Sequence, residues 1–353
     1  MLQQHFSQLL ALYDPGDQVT VGVHTKALIA SLPETLAQTD FDIYAFRQTA
    51  ADFVLPNCLD YPITISAVDY KHTKIGTLPC EVLKHKNSHD VPTIVVFYGG
   101  GFCLDMLEPH KAFFAHVAAQ APCNIVLPHL PLAPEHKASE VMASIGAFLQ
   151  SLLSHPESIA LSHQFIFSGW SSGANIAISA ALDLQAYPAL YAKLVQIISL
   201  SAWVDLSMKV ARQGPYLQQQ SADSIAAGAD VLEKMTACYL PENAKGDEAQ
   251  YCPAHRDFSV LSSLPPTTLI VGGSEVLLGD SVYMAHALKQ AGAPGQLVIL
   301  EGQTHNYLVL KQLAKDGVFV PDVVARLIGQ KPIENMKGHD GLGLVILSCN
   351  API

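Results

Sequence analysis

Five residues, Gly169-Trp170-Ser171-Ser172-Gly173, set a serine between two glycines after the apolar run QFIFS (164–168) and before the helix-forming ANIAISAAL (174–182). A strand, a tight turn and a helix form the context in which G-x-S-x-G projects a nucleophilic hydroxyl. Taken alone the pattern is weak, because a Gly/Ser turn without chemistry looks the same. Its flanks raise its weight: the start of the following helix favours developing negative charge. A second Gly-rich turn, Tyr98-Gly99-Gly100-Gly101-Phe102, follows the apolar run TIVVF (93–97). Three glycines without side chains let backbone N–H groups approach a substrate oxygen. No GK[ST] follows and the spacing is not G-x-G-x-x-G, so a phosphate cradle fits poorly. Oxyanion binding by this loop, together with the amide after Ser171, fits better.

A serine nucleophile needs a base, and the base needs an orienting acid. Fifteen histidines compete for the role. His305 stands out because it lies in the loop EGQTH after the apolar run QLVIL (296–300) and before NYLVLKQL. Glu275 follows the strand-like TTLIVG (267–272), in a loop expected at the same sheet edge, and Asp280 is the rival acid. Asp280 reads better as a helix-start residue accepting the free amides of its own helix. No HExxH motif or Cys/His cluster is present, so neither metal nor cofactor is expected.

These residues need a scaffold that brings several loops to one edge. Apolar runs at 61–69, 76–84, 93–98, 124–129, 164–168, 195–200, 267–272 and 296–300 read as about eight strands. Helical stretches fall near 109–120, 136–154, 173–186, 280–292 and 306–329. The alternation, with nearly all-apolar central strands, predicts a doubly wound, mostly parallel α/β sheet. Residues 1–58 and 207–250 break the rhythm with helical, strand-free sequence and are expected to cap the sheet. The core then comprises 59–206 and 251–330, leaving 331–353 as a tail whose apolar patch has no assigned role.

The chain has 353 residues, above the roughly 100–200 of an ordinary domain. Half are hydrophobic and 14% charged, which excludes general disorder. A net charge of −11 without a basic run makes nucleic acid an unsuitable partner. The longest uncharged stretches, 112–134 and 158–182, are broken by prolines or by glycines and serines, so neither reads as a membrane span. The N-terminus lacks a basic n-region, and the seven cysteines form no CxxC pair. Reduced thiols in a cytoplasmic protein are therefore expected, with export by another route left open.

Six segments in order resemble the hormone-sensitive-lipase-like group of α/β-hydrolase carboxylesterases. YGGGF resembles that family's HGGGF, LAPE (132–135) its RLAPE, and GWSSGA its GDSAGG. SAWVDL (201–206) resembles SPWxDL, LPPT with IVGGSEVLLGD resembles the segment bearing the acid, and GQTHNYL the loop bearing the histidine. The resemblance covers about residues 61–328. It implies an α/β-hydrolase fold with a helical cap, a triad of Ser171, His305 and Glu275, and oxyanion donors at Gly100, Gly101 and Ser172. It also implies a small-molecule ester substrate; the cap segments 1–58 and 207–250, with the bulk of Trp170, are expected to limit the acyl pocket and favour short to medium acyl esters. Three positions depart from the family: Tyr98 replaces a His, Trp170 an Asp, and Glu275 the usual Asp. Tyr98, Phe102 and Trp170 are expected to line the substrate pocket, while Glu135, Trp203 and Asp205 match positions read as structural. Two other functions rival this reading: a non-catalytic ligand-binding protein on the same fold, against which retention of all three triad groups argues, or an amidase or peptidase using the same triad. A homodimer is compatible with the sequence.

Overall fold

The computed structural model describes residues 2–16, 26, 42–48, 68–159, 161–219, 229–305, 317–338 and 342–349. Its strands are β1 (Val68–Ile75), β2 (Leu78–His85), β3 (Thr93–Phe97), β4 (Asn124–Pro128), β5 (Phe165–Trp170), β6 (Leu194–Leu200), β7 (Thr267–Gly272), β8 (Gly295–Leu300) and β9 (Leu344–Ser348). The longer helices are α1 (Leu2–Leu12), α2 (Glu108–Gln120), α3 (Ala138–Ser154), α4 (Ser172–Leu184), α5 (Ala229–Tyr239), α6 (Leu278–Ala291) and α7 (Val320–Ile328).

The strands form one sheet in the order β1-β2-β4-β3-β5-β6-β7-β8-β9. From β4 to β8 every pairing is parallel, and antiparallel pairs close both edges. Side chains alternate between the two faces of β3 as the pleat requires. Val95 and Phe97 pack with α3, α4 and α6, while Ile94 and Val96 pack with α2 and α7. Both faces are covered, so the central strands are nearly all apolar, as the sequence led us to expect.

Two differences from expectation have local causes. The first expected strand, 61–69, lies mostly outside the described residues; β1 instead starts at Val68 and hairpins into β2. Gly76 makes that tight turn at φ +58°, a left-handed conformation that costs glycine little. The tail patch LVILS becomes β9, antiparallel to β8, and covers what would otherwise be the edge of the parallel array. Of the expected helix 306–329, residues 306–316 lie outside the described residues and Val320–Ile328 is helical.

The N-terminal residues 43–48 are helical, and α1 packs on α6. Most of 1–58, and residues 220–228 of the 207–250 segment, lie outside the described residues. Among the described residues no helix is long and apolar enough to cross a membrane.

Candidate active site

Ser171 sits between β5 and α4 with φ 58° and ψ −122°, a sparsely populated conformation for a residue with a side chain. The flanking glycines make that turn sterically feasible. A Cβ on Gly169 would lie 2.2 Å from the carbonyl oxygen of Gly173, and one on Gly173 only 2.0 Å from that of Phe97. The Ser171 N–H donates to the Leu200 carbonyl (2.9 Å), tying the turn to the end of β6. Ser172 is the first residue of α4, so its N–H has no partner within the helix.

The loops after β7 and β8 are stitched together by Gly273 N–H to Leu300 O (2.8 Å) and Ser274 N–H to Gln303 O (3.0 Å). This brings Glu275 against His305, with Oε1 3.1 Å from Nδ1. The other oxygen, Oε2, accepts from Ser201 Oγ (2.8 Å) and Gly272 N–H (2.8 Å). Glu275 is fully buried, and a Cβ on Gly272 would stand 2.7 Å from Oε2. Glycine at 272 therefore lets the longer acid fold back over the backbone. A carboxylate oxygen only accepts, so the His305 proton lies on Nδ1 and its lone pair on Nε2.

Asp280 is also fully buried but turns elsewhere. It lies inside the first turn of α6, and Oδ1 accepts Val204 N–H (2.9 Å) and Asp205 N–H (2.8 Å) from the loop after β6. The helix-cap role expected for it is not what forms: the nearby Val204–Asp205 amides capture its carboxyl. Burial, reinforced by the Asp205 charge, pushes its pKa well above the carboxylate range.

The glycine loop after β3 carries the other expected residues. Gly100 has φ +131° and Gly101 φ +60°; a Cβ on Gly101 would meet Met235 Sδ of α5 at 2.1 Å. The Phe102 N–H donates to Ser172 Oγ (3.1 Å), linking this loop to the elbow. Phe102 itself stacks on Tyr239 of α5, with centroids 3.8 Å apart. The Tyr98 hydroxyl accepts Leu130 N–H (2.9 Å) and donates to Asp105 Oδ1 (3.3 Å), so it braces two loops. Trp170 stacks on His305 (centroids 5.2 Å, 27° between planes) and also contacts His110 (5.2 Å). Among the described residues no three His, Cys, Asp or Glu side chains converge as a metal site.

Sequence reasoning missed Ser201, Arg47 and His110. Arg47 donates Nε–H to Cys103 O and an Nη2 hydrogen to Ala133 O, both at 2.7 Å, and forks onto the Glu135 carboxylate. It thereby ties the N-terminal segment to the end of the glycine loop and holds Glu135 down to about 2. Nothing in the local pattern around Arg47 or His110 signals these long-range contacts; Ser201 lay within the noted SAWVDL segment.

The model of a family described as having the alpha/beta hydrolase fold matches residues 94–309. An esterase from Acinetobacter venetianus is 28% identical over 213 residues, 60% of this chain and 65% of its own length, so the match spans just under two thirds of that relative. Esterase LipU of Mycobacterium tuberculosis is 24% identical over 64% of this chain and 73% of its own length. Among solved structures, a thermostable esterase from Pseudomonas putida superposes with a TM-score of 0.74 over 88% of this chain and 96% of its own, at 19% identity. An esterase of the bacterial hormone-sensitive lipase family gives 0.70 over 87% and 96%, at 20% identity. With its family model matched over more than half its length, this chain belongs to the hormone-sensitive-lipase-like family of α/β-hydrolases.

Proposed function

We propose that the protein is a serine carboxylesterase working through Ser171, His305 and Glu275. The observation that carries this reading is the Glu275–His305 pair at 3.1 Å, an acid set against the base's Nδ1, with Trp170 of the strained Ser171 turn stacked on the imidazole. His305 takes the Ser171 proton as the hydroxyl attacks the ester carbonyl, and Glu275 stabilises the imidazolium. The N–H groups of Gly100, Gly101 and Ser172 hold the oxyanion. His305 then protonates the departing alcohol, and water releases the acid from the acyl-enzyme by the same steps.

We read residues 1–58 and 207–250 as the cap. Arg47 from the first and Met235 and Tyr239 from the second all bear on the glycine loop, which supports a cap that crowds the acyl site. Short to medium acyl esters are the substrates this favours, with Tyr98, Phe102 and Trp170 near the reacting groups. The test is turnover of nitrophenyl esters from acetyl to palmitoyl by the parent and by Ser171→Ala, with intact-mass analysis after organophosphate treatment. We expect one adduct on the peptide containing GWSSGAN and a loss of about 10⁴–10⁶ in kcat for Ser171→Ala. A full-rate Ser171→Ala enzyme overturns the reading. A parent that binds esters without turnover, or that cleaves anilides better, moves the function to a binding protein or an amidase.

A further inference from the structure

We propose that Trp170 is a positioning residue that holds His305 in place and stabilises its protonated form through the indole face. The proposal rests on His305 being the base, as read above. Trp170 replaces the Asp that the family places before the serine, so an aromatic ring stands where a carboxylate is usual. The two rings are near-parallel, with centroids 5.2 Å apart. That lies inside the roughly 6 Å over which a cation is attracted to an aromatic face. The indole is itself fixed: a Cβ on Gly99 would stand 2.5 Å from its Cε3, so only glycine there lets the ring lie against the loop. Trp170 is only 8% exposed, and its Nε1–H makes no hydrogen bond among the described residues, so its interaction with His305 runs through the ring.

Three other ionisable or polar groups bear on this pair. Glu275 holds Nδ1 of His305 from the β7–α6 loop, Asp280 on α6 lies behind Glu275, and His110 of α2 touches the indole. The His110 Nδ1 accepts Leu107 N–H (3.0 Å), and burial lowers its pKa to about 4. It is thus neutral at working pH, and His305 is the one cation the indole meets among these groups. When His305 takes the serine proton, its new charge develops against a buried aromatic face. Electrostatic attraction of this kind is stronger when desolvated.

The experiment measures kcat/KM on nitrophenyl butyrate from pH 4.5 to 9 for the parent, Trp170→Leu, Trp170→Phe and His305→Ala. Leucine preserves an apolar wall and removes the π face. Trp170→Leu is expected to move the acid limb of the profile down by about 0.4–1.5 pH units and to lower the plateau by about 2–30-fold. Trp170→Phe keeps a weaker face and shifts in the same direction by less; it decides the question if the leucine variant does not fold. A lowered plateau with an unmoved or rising acid limb in a folded variant overturns the proposal, because lost packing alone leaves the limb in place or, by rehydrating the imidazole, raises it. An inactive His305→Ala beside an unmoved limb rejects the role of Trp170 only, whereas a full-rate His305→Ala removes the base itself.

Discussion

Glu275 and Asp280 are both buried carboxyls near the end of β7, and exchanging each for its amide separates their roles. In Glu275, Oε2 accepts two donors, Gly272 N–H and Ser201 O–H, while Oε1 accepts from His305. A glutamine amide nitrogen cannot accept the Gly272 N–H, so Glu275→Gln must put its carbonyl there and aim its NH₂ at His305 Nδ1. That forces the proton to Nε2, so the base assigned to Ser171 has no lone pair to offer. The wrong tautomer costs about 10⁴ in kcat. Folding suffers little, since the amide has the shape of the carboxyl and keeps a partner at each hydrogen bond. In Asp280→Asn the amide oxygen still accepts Val204 and Asp205 N–H, and we expect kcat within about threefold of the parent. Asp280→Ala instead orphans both amides, at about 1–3 kcal/mol each, and should lower Tm without removing activity. The assay pairs initial rates on nitrophenyl butyrate with thermal melts of the same preparations. A Glu275→Gln enzyme keeping more than a tenth of parental kcat, or a dead Asp280→Asn, refutes the assignment.

Asp280 also sets a pH dependence: its folded pKa is raised above the ordinary 3.8, so its contribution to stability is full below that value and is lost as pH rises toward the folded pKa. The Tm advantage of Asp280→Asn over the parent should therefore be smallest near pH 4 and widen toward neutrality, and a constant gap in melts across that range would count against a neutral Asp280. Arg47→Ala should cost about 1–2 kcal/mol and lower kcat by loosening the glycine loop, the partly exposed ion pair itself supplying little of that. The part due to Glu135, whose folded pKa is depressed to about 2, is present above about pH 4.5 and fades as pH falls toward 2, which denaturant titrations at pH 3 and 7 resolve. Gly173→Ala must push a methyl into the Phe97 carbonyl at 2.0 Å and should abolish soluble folded protein or cost at least about 3 kcal/mol, read from melts and expression yield. Truncation after residue 341 removes β9 and bares β8, and light scattering should show association beyond that of the full chain.

The parallel order of β3 to β8 was legible because each strand is buried on both faces, leaving a run of apolar residues bounded by turn signals. As candidates, Ser171 and the glycine loop stood out for a related reason: the chemistry proposed for them needs glycines at fixed spacing next to a strand end, and backbone sterics write that requirement into adjacent residues. His305 and Glu275 were singled out as candidates by the same logic of strand-end loops together with the family resemblance. What contacts those groups was not written locally. Ser201 reaches Glu275 from 74 positions away, and Arg47 reaches Glu135 across 88. Asp280 looked like a cap for its own helix, yet tertiary packing set two amides of another loop closer to its oxygen. Trp170 read as bulk in a substrate pocket, and only the fold turned its ring onto His305. The sequence by itself determined the central strands, the glycine-rich turns and the candidate reacting groups, because those depend on neighbours along the chain. Hydrogen-bond partners, tautomer and ring stacking belong to residues far apart in sequence, and only the packed sheet with its covering helices decided them.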